Sequence, residues 1–189
     1  MKKLLLIFFI TFSFQPLIKA DDIREFEIEG ISIGDSLIEH ISLNKIEKLK
    51  ESYYKDNLYT TITVFPGETK IELENYDALV MSFLSSDNKF KLQGLSGIII
   101  YKKNINDCKK KRDEIVDAIN SIFSNIIPHN NDFDAGLGNV KSVEFDFKNK
   151  DMVIVACYDY DPHPSHTDHL RVSLNRKKFL NWIENEAYK

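Results

Sequence analysis

The chain has 189 residues, 43% of them apolar and 29% charged, with a formal net charge of −4. That length suits one domain with its own core, and an acidic balance argues against nucleic acid or anionic lipid as the main partner. No low-complexity segment or linker divides it.

The chain opens MKKLLLIFFITFSFQPLIKA, with basic Lys2 and Lys3, an apolar run from Leu4 to Phe14, the breaker Pro16 and small Ala20. This reads as a cleaved secretory signal peptide over residues 1–20, followed by a single domain over 21–189. Cleavage there leaves 22 Lys and Arg against 29 Asp and Glu, a net charge of −7. No cysteine follows the apolar run and no later segment is apolar for long enough to cross a bilayer, so no stable membrane anchor is expected. With 21 lysines to 4 arginines and a lysine-led leader, a bacterial periplasmic or secreted protein is the expected setting.

Residues 24–33 alternate imperfectly and predict a half-exposed strand. Residues 30–37 read GISIGDSL, which holds G-x-S-x-G around Ser32 and G-D-S-L around Ser36. A nucleophile elbow needs a buried incoming strand, whereas three glutamates precede Ser32. Ser36 with Glu39 fits a capping box, and Asn44 with Glu47 marks a second helix start, so 36–52 predicts one kinked helix or two short ones. Strands follow over 58–64, 76–84 and 90–101, with a short one suggested by Ile71 and Leu73. Gly94 and Gly97 in the third of these imply a bulge or close packing.

Residues 107–125 predict a helix whose apolar face carries Cys108, Ile115, Val116, Ile119, Ile122 and Phe123. Its basic run Lys109-Lys110-Lys111-Arg112 reads as the solvated face. After Pro128, the stretch HNNDFDAGLGN predicts a loop. Strands over 140–147, 152–158 and 169–174 follow, the second apolar on both faces and therefore central. A last helix capped by Asn175 turns Phe179, Leu180 and Ile183 inward. Strands grouped in hairpins predict an α+β fold, a mainly antiparallel sheet from two hairpin groups packed by three to four helices.

The GDSL segment resembles the GDSL hydrolase family, whose serine near the mature N-terminus is the nucleophile. That resemblance implies an esterase with Ser36 as nucleophile, His163 as base and Asp161 or Asp159 as the orienting acid. The family pattern places its acid three residues before the histidine, whereas here the acids lie two and four residues before His163. The expected role of Ser36 is the helix cap. DYDPHPSHTDH, residues 159–169, gathers His163, His166, His169 and Asp161, a set that suits a transition metal such as Zn²⁺. Pro162 and Pro164 forbid a helix that would align these histidines, so an ordinary loop is the default reading.

GISIGDSL with its helix, together with SGIIIYKKNINDCKKKRDEI, resembles an uncharacterised group of small exported proteins of marine alphaproteobacteria, a resemblance that implies no activity. The order of elements is also similar to β-lactamase-inhibitor and outer-membrane-assembly lipoprotein modules, which bind proteins. The expectation is thus a non-catalytic binding or envelope-accessory module without cofactor, its partner another envelope protein. Export would expose Cys108 and Cys157 to an oxidising compartment, and no other cysteine is present. A Cys108–Cys157 disulfide is therefore expected, worth about 4 kcal/mol in the chain-entropy model.

Overall fold

Residue 157 lies in the middle of a sheet and residue 108 on a helix above it, and their sulfurs are bonded, with the two Cα atoms 6.0 Å apart. This bond ties together the two main layers of the molecule. The structure is a computed structural model that describes residues 22–51, 54–102, 104–123, 125–162 and 166–189. The leader, residues 1–20, lies outside the described residues, as does His163.

The sheet has eight antiparallel strands: β3 (Lys50–Glu51), β4 (Tyr59–Val64), β5 (Ala78–Leu84), β6 (Leu92–Ile100), β7 (His129–Asp134), β8 (Gly138–Asp146), β9 (Met152–Tyr160) and β10 (His169–Asn175). Their spatial order is β3-β4-β5-β6-β10-β9-β8-β7, two meanders joined where β6 meets β10. Three α-helices accompany them: α1 (Leu43–Leu49), α2 (Ile105–Ile122) and α3 (Lys177–Asn185). A separate two-stranded hairpin precedes them, β1 (Glu27–Ile28) with β2 (Ile31–Ser32). The fold is α+β, with the mainly antiparallel sheet and hairpin groups that the strand spacing predicts.

One face of the sheet carries Ile62, Val64, Leu79, Met81, Leu95, Val172, Leu174, Val153, Val155 and Phe145, all buried. Strand registers align these residues across five neighbouring ladders. α2 covers this face through Cys108, Ile119 and Phe123, and the N-terminal segment completes the cover with Ile23, Ile28, Ile31, Ile33, Leu37, Ile41 and Ile46. α3 crosses the opposite face, where Phe179 and Trp182 pack on Tyr59 in a separate small cluster. Each meander is followed by a helix, but the two helices take opposite faces, so the halves are not copies in space.

Several local expectations are corrected. Residues 24–33 form a 3-10 turn and the β1–β2 hairpin instead of one strand. Glu29 and Gly30 both have positive φ, 51° and 72°, the backbone of a type I′ turn that folds the segment back on itself. Residues 37–39 and α1 are two short helices, and their N-caps are Ser36 and Ser42, neither with a side-chain capping bond. Ile71 and Leu73 are packed against the core without a strand. Asn175 ends β10 and Arg176 caps α3; Phe179 and Ile183 pack inward as expected, Trp182 joins them, and Leu180 is half-buried outside that cluster. Ile122, expected on the buried stripe of α2, is exposed at its last residue.

Candidate functional site

Both serines of GISIGDSL spend their hydroxyls on backbone. Ser32 is buried beside the β1–β2 turn and donates to the Phe26 carbonyl at 3.2 Å, while the Asp35 carboxylate accepts its N–H at 2.8 Å. Ser36 donates to the Lys89 carbonyl at 2.6 Å and bridges Lys91, just before β6 begins. The capping box expected with Glu39 is not formed: Ser36 makes no side-chain bond to the three-residue 3-10 turn that follows it, and its hydroxyl is turned to the Lys89 carbonyl. Asp159 and Asp161 lie at the other end of the sheet, where β9 and β10 meet the end of β6. The length of β6 separates them from Ser36 by on the order of 25 Å. The structure does not bring Ser36 and Asp161 together, and His163, the proposed base, lies outside the described residues.

The described part of the 159–169 segment forms a stacked row on the face that α3 covers farther along. Tyr158 stacks on His169 at 4.6 Å with planes 10° apart, and the Arg171 guanidinium sits 5.8 Å above the same ring. Tyr160 contacts both His169 and His166, at 5.8 and 5.0 Å between centroids. The Thr167 carbonyl lies 2.9 Å from His169 Nδ1, which therefore carries the proton. Burial pushes the imidazole below its ordinary value, against the opposing pull of that hydrogen bond. His169 Nε2 and Arg171 Nε are buried without a hydrogen-bond partner among the described residues. Burial also raises the Tyr160 hydroxyl, with the neighbouring Tyr158 adding to it. Among the described residues no group of three His, Cys, Asp or Glu side chains could hold a metal ion. His166 and His169 are instead packed on tyrosine.

A second feature was missed by the sequence reading. HNNDFD, read as loop, is strand β7, the outermost strand of the sheet beside β8. All six of its residues are exposed, so burial imposes no apolar alternation on it, and Asn and Asp are depleted in strands. The signal available was punctuation: Pro128 before the segment and Gly136 after it bracket a strand-length run containing Phe133.

Large apolar side chains stand exposed along this edge, with Ile127 at 88%, Phe133 at 46% and Leu137 at 49% of full exposure. Beneath it, buried Glu144 accepts from Asn131 Nδ2 at 2.8 Å and lies 3.4 Å from His129 Nε2. Asp146 lies 3.7 Å from the other nitrogen of His129. On the opposite face Lys141 reaches Asp132 at 2.7 Å and holds that carboxyl below the usual range. The arrangement offers an open backbone ladder, an acidic border and apolar anchors. The Ser142 hydroxyl beside Glu144, at 3.4 Å, is buried and donates to the Asn131 carbonyl at 2.5 Å.

Comparison with protein-family models, curated proteins and solved structures finds no match to the chain.

Proposed function

We propose that the protein is an exported, non-catalytic binding module of the cell envelope that engages another protein through the β7 side of its sheet. The observation that carries this reading is the open edge of an eight-stranded sheet, with Ile127, Phe133 and Leu137 exposed along it. Single exposed apolar residues are ordinary, but here Phe133 stands on a strand with one free edge, with Ile127 just before that strand and Leu137 in the turn after it, an arrangement suited to pairing with an added strand. Export is supported by the apolar leader and by the Cys108–Cys157 disulfide, which suits an oxidising compartment. No helix among the described residues is long and apolar enough to cross a membrane. The sequence resemblance to small exported proteins agrees with this setting.

Site-directed photo-crosslinking in the periplasm of expressing cells tests the reading. A photoreactive residue replacing Asn130 on β7 is expected to give one discrete cross-linked species. The same residue replacing exposed Lys110 on α2 is expected to give none. A smear or no product from both positions sinks the proposal.

A further inference from the structure

We infer that β7 docks an extended, net-basic segment of the partner as a ninth strand, with an apolar side chain of that segment over Phe133. This rests on the binding-module reading and names the chemistry of its partner.

The ladder parity is fixed by the turn that closes the β7–β8 hairpin. The Ala135 N–H donates to the Gly138 carbonyl at 2.8 Å, so Ala135, Phe133, Asn131 and His129 turn their backbone groups towards β8. Asn130, Asp132 and Asp134 consequently turn their N–H and C=O groups outward, a template for another strand. Natural edges are usually shielded by charged side chains, lysine above all, by proline, a bulge or shortness, and the charges of β7, Asp132 and Asp134, are of one sign only. β7 has no lysine or proline, runs six residues and keeps an unbroken register with β8. The opposite edge, β3, is two residues long and offers no comparable template.

Charge decides what can sit there. β7 and β8 carry Asp132, Asp134, Glu144 and Asp146 against the one cation Lys141, which already pairs with Asp132. A second copy pairing antiparallel must set outward-facing residues against outward-facing residues. The register that uses all three puts Asp132 opposite Asp132 and brings two acidic borders together, which like-charge repulsion opposes. A lysine- or arginine-bearing strand meets complementary charge instead. Alternation then presents the residue between two basic positions to Phe133, on the other face of the same strand.

The probe is a short, capped peptide of alternating lysine and valine, added to the disulfide-bonded protein and followed by amide NMR. Backbone amides of Asn130, Asp132 and Asp134 are expected to shift and to exchange with solvent more slowly, while those of α2 stay in place. Replacing lysine by glutamate in the peptide is expected to abolish the shifts. Asn130→Pro removes one outward N–H without altering charge or the ladder to β8, and is expected to weaken binding about tenfold, the loss of one hydrogen bond and its neighbours. The thermal midpoint of that variant checks that the fold survives, and Asn130→Ala serves as its isocharge control with the N–H retained. No shifts, equal binding of the glutamate peptide, or equal binding by Asn130→Pro overturns the inference. So does a dimer in sedimentation that Asn130→Pro dissolves, because a second copy would then be the occupant. If the peptide fails while Asn130 still cross-links a partner in cells, the docking chemistry falls and the binding-module reading stands.

Discussion

The ring of Phe179 lies against the bare backbone of Gly94, in the space that a β-carbon at residue 94 would need. This contact seats α3 on the outer face of the sheet. Gly94→Ala forces the ring aside and is expected to cost about 1–3 kcal/mol, the range for overpacking a core. Urea unfolding measures it. Phe179→Leu made in the same chain should recover part of that loss, and strict additivity of the two changes would show that the contact does not hold the helix.

The disulfide closes a loop of 49 residues between α2 and β9. Cys108→Ser is expected to destabilise the protein by about 2–5 kcal/mol, as removal of a native bridge does in small exported domains. Guanidinium unfolding of wild type with and without reductant should show the same difference. A midpoint unmoved by reductant contradicts the bridge.

His169 gives the protein a pH window of its own. Its folded imidazole titrates below the ordinary 6.5, chiefly through burial, so the unfolded chain takes up a proton at higher pH than the folded one. Above that value both states are neutral and the residue contributes no pH dependence. As pH falls below about 6.5 the unfolded state is favoured, until the folded imidazole also protonates. The carboxyls of Asp22, Asp87 and Asp132 are held below 3.8, by Arg24, by the Lys89 amide and by Lys141, so their contribution is lost only at lower pH. His169→Phe keeps a ring on Tyr158 and should flatten the fall of the thermal midpoint between pH 7 and pH 5. An unchanged slope in that interval refutes the assignment.

Ser36→Ala removes the hydroxyl that satisfies the Lys89 carbonyl. We expect a loss of about 1 kcal/mol in stability and no change in hydrolysis of short p-nitrophenyl esters. A drop in ester hydrolysis with stability intact would restore the nucleophile reading.

The buried parts of the fold were the legible ones. Cys108, Ile119 and Phe123 announce α2 because a helix covering a sheet must repeat its apolar residues on one side. The run Met152 to Cys157 announces β9 because a strand between two others has little water to face. The β1–β2 hairpin escaped notice because its turn depends on Glu29, a non-glycine residue with positive φ, which composition does not reveal. β7 escaped because an edge exposed on every residue carries no alternation. The disulfide was legible from two cysteines and an export leader, whereas the stack of Tyr158, His169 and Arg171 depends on cross-strand register. That register is set by β6, β9 and β10 together and by no local spacing.

The meeting of β6 and β10 bears on how the chain is made. The hydroxyls of Ser96 and Ser173 bond at 2.9 Å across 77 residues of sequence, so β10 is synthesised long after β6. Until it arrives, the first meander ends on β6, whose Leu95, Ile98, Ile99 and Ile100 lie along an unpaired backbone. A nascent or truncated chain lacking residues beyond 168 therefore carries a naked, apolar strand edge, the species that recruits other chains into aggregates. Truncation after residue 168 is therefore expected to yield inclusion bodies instead of a smaller soluble domain.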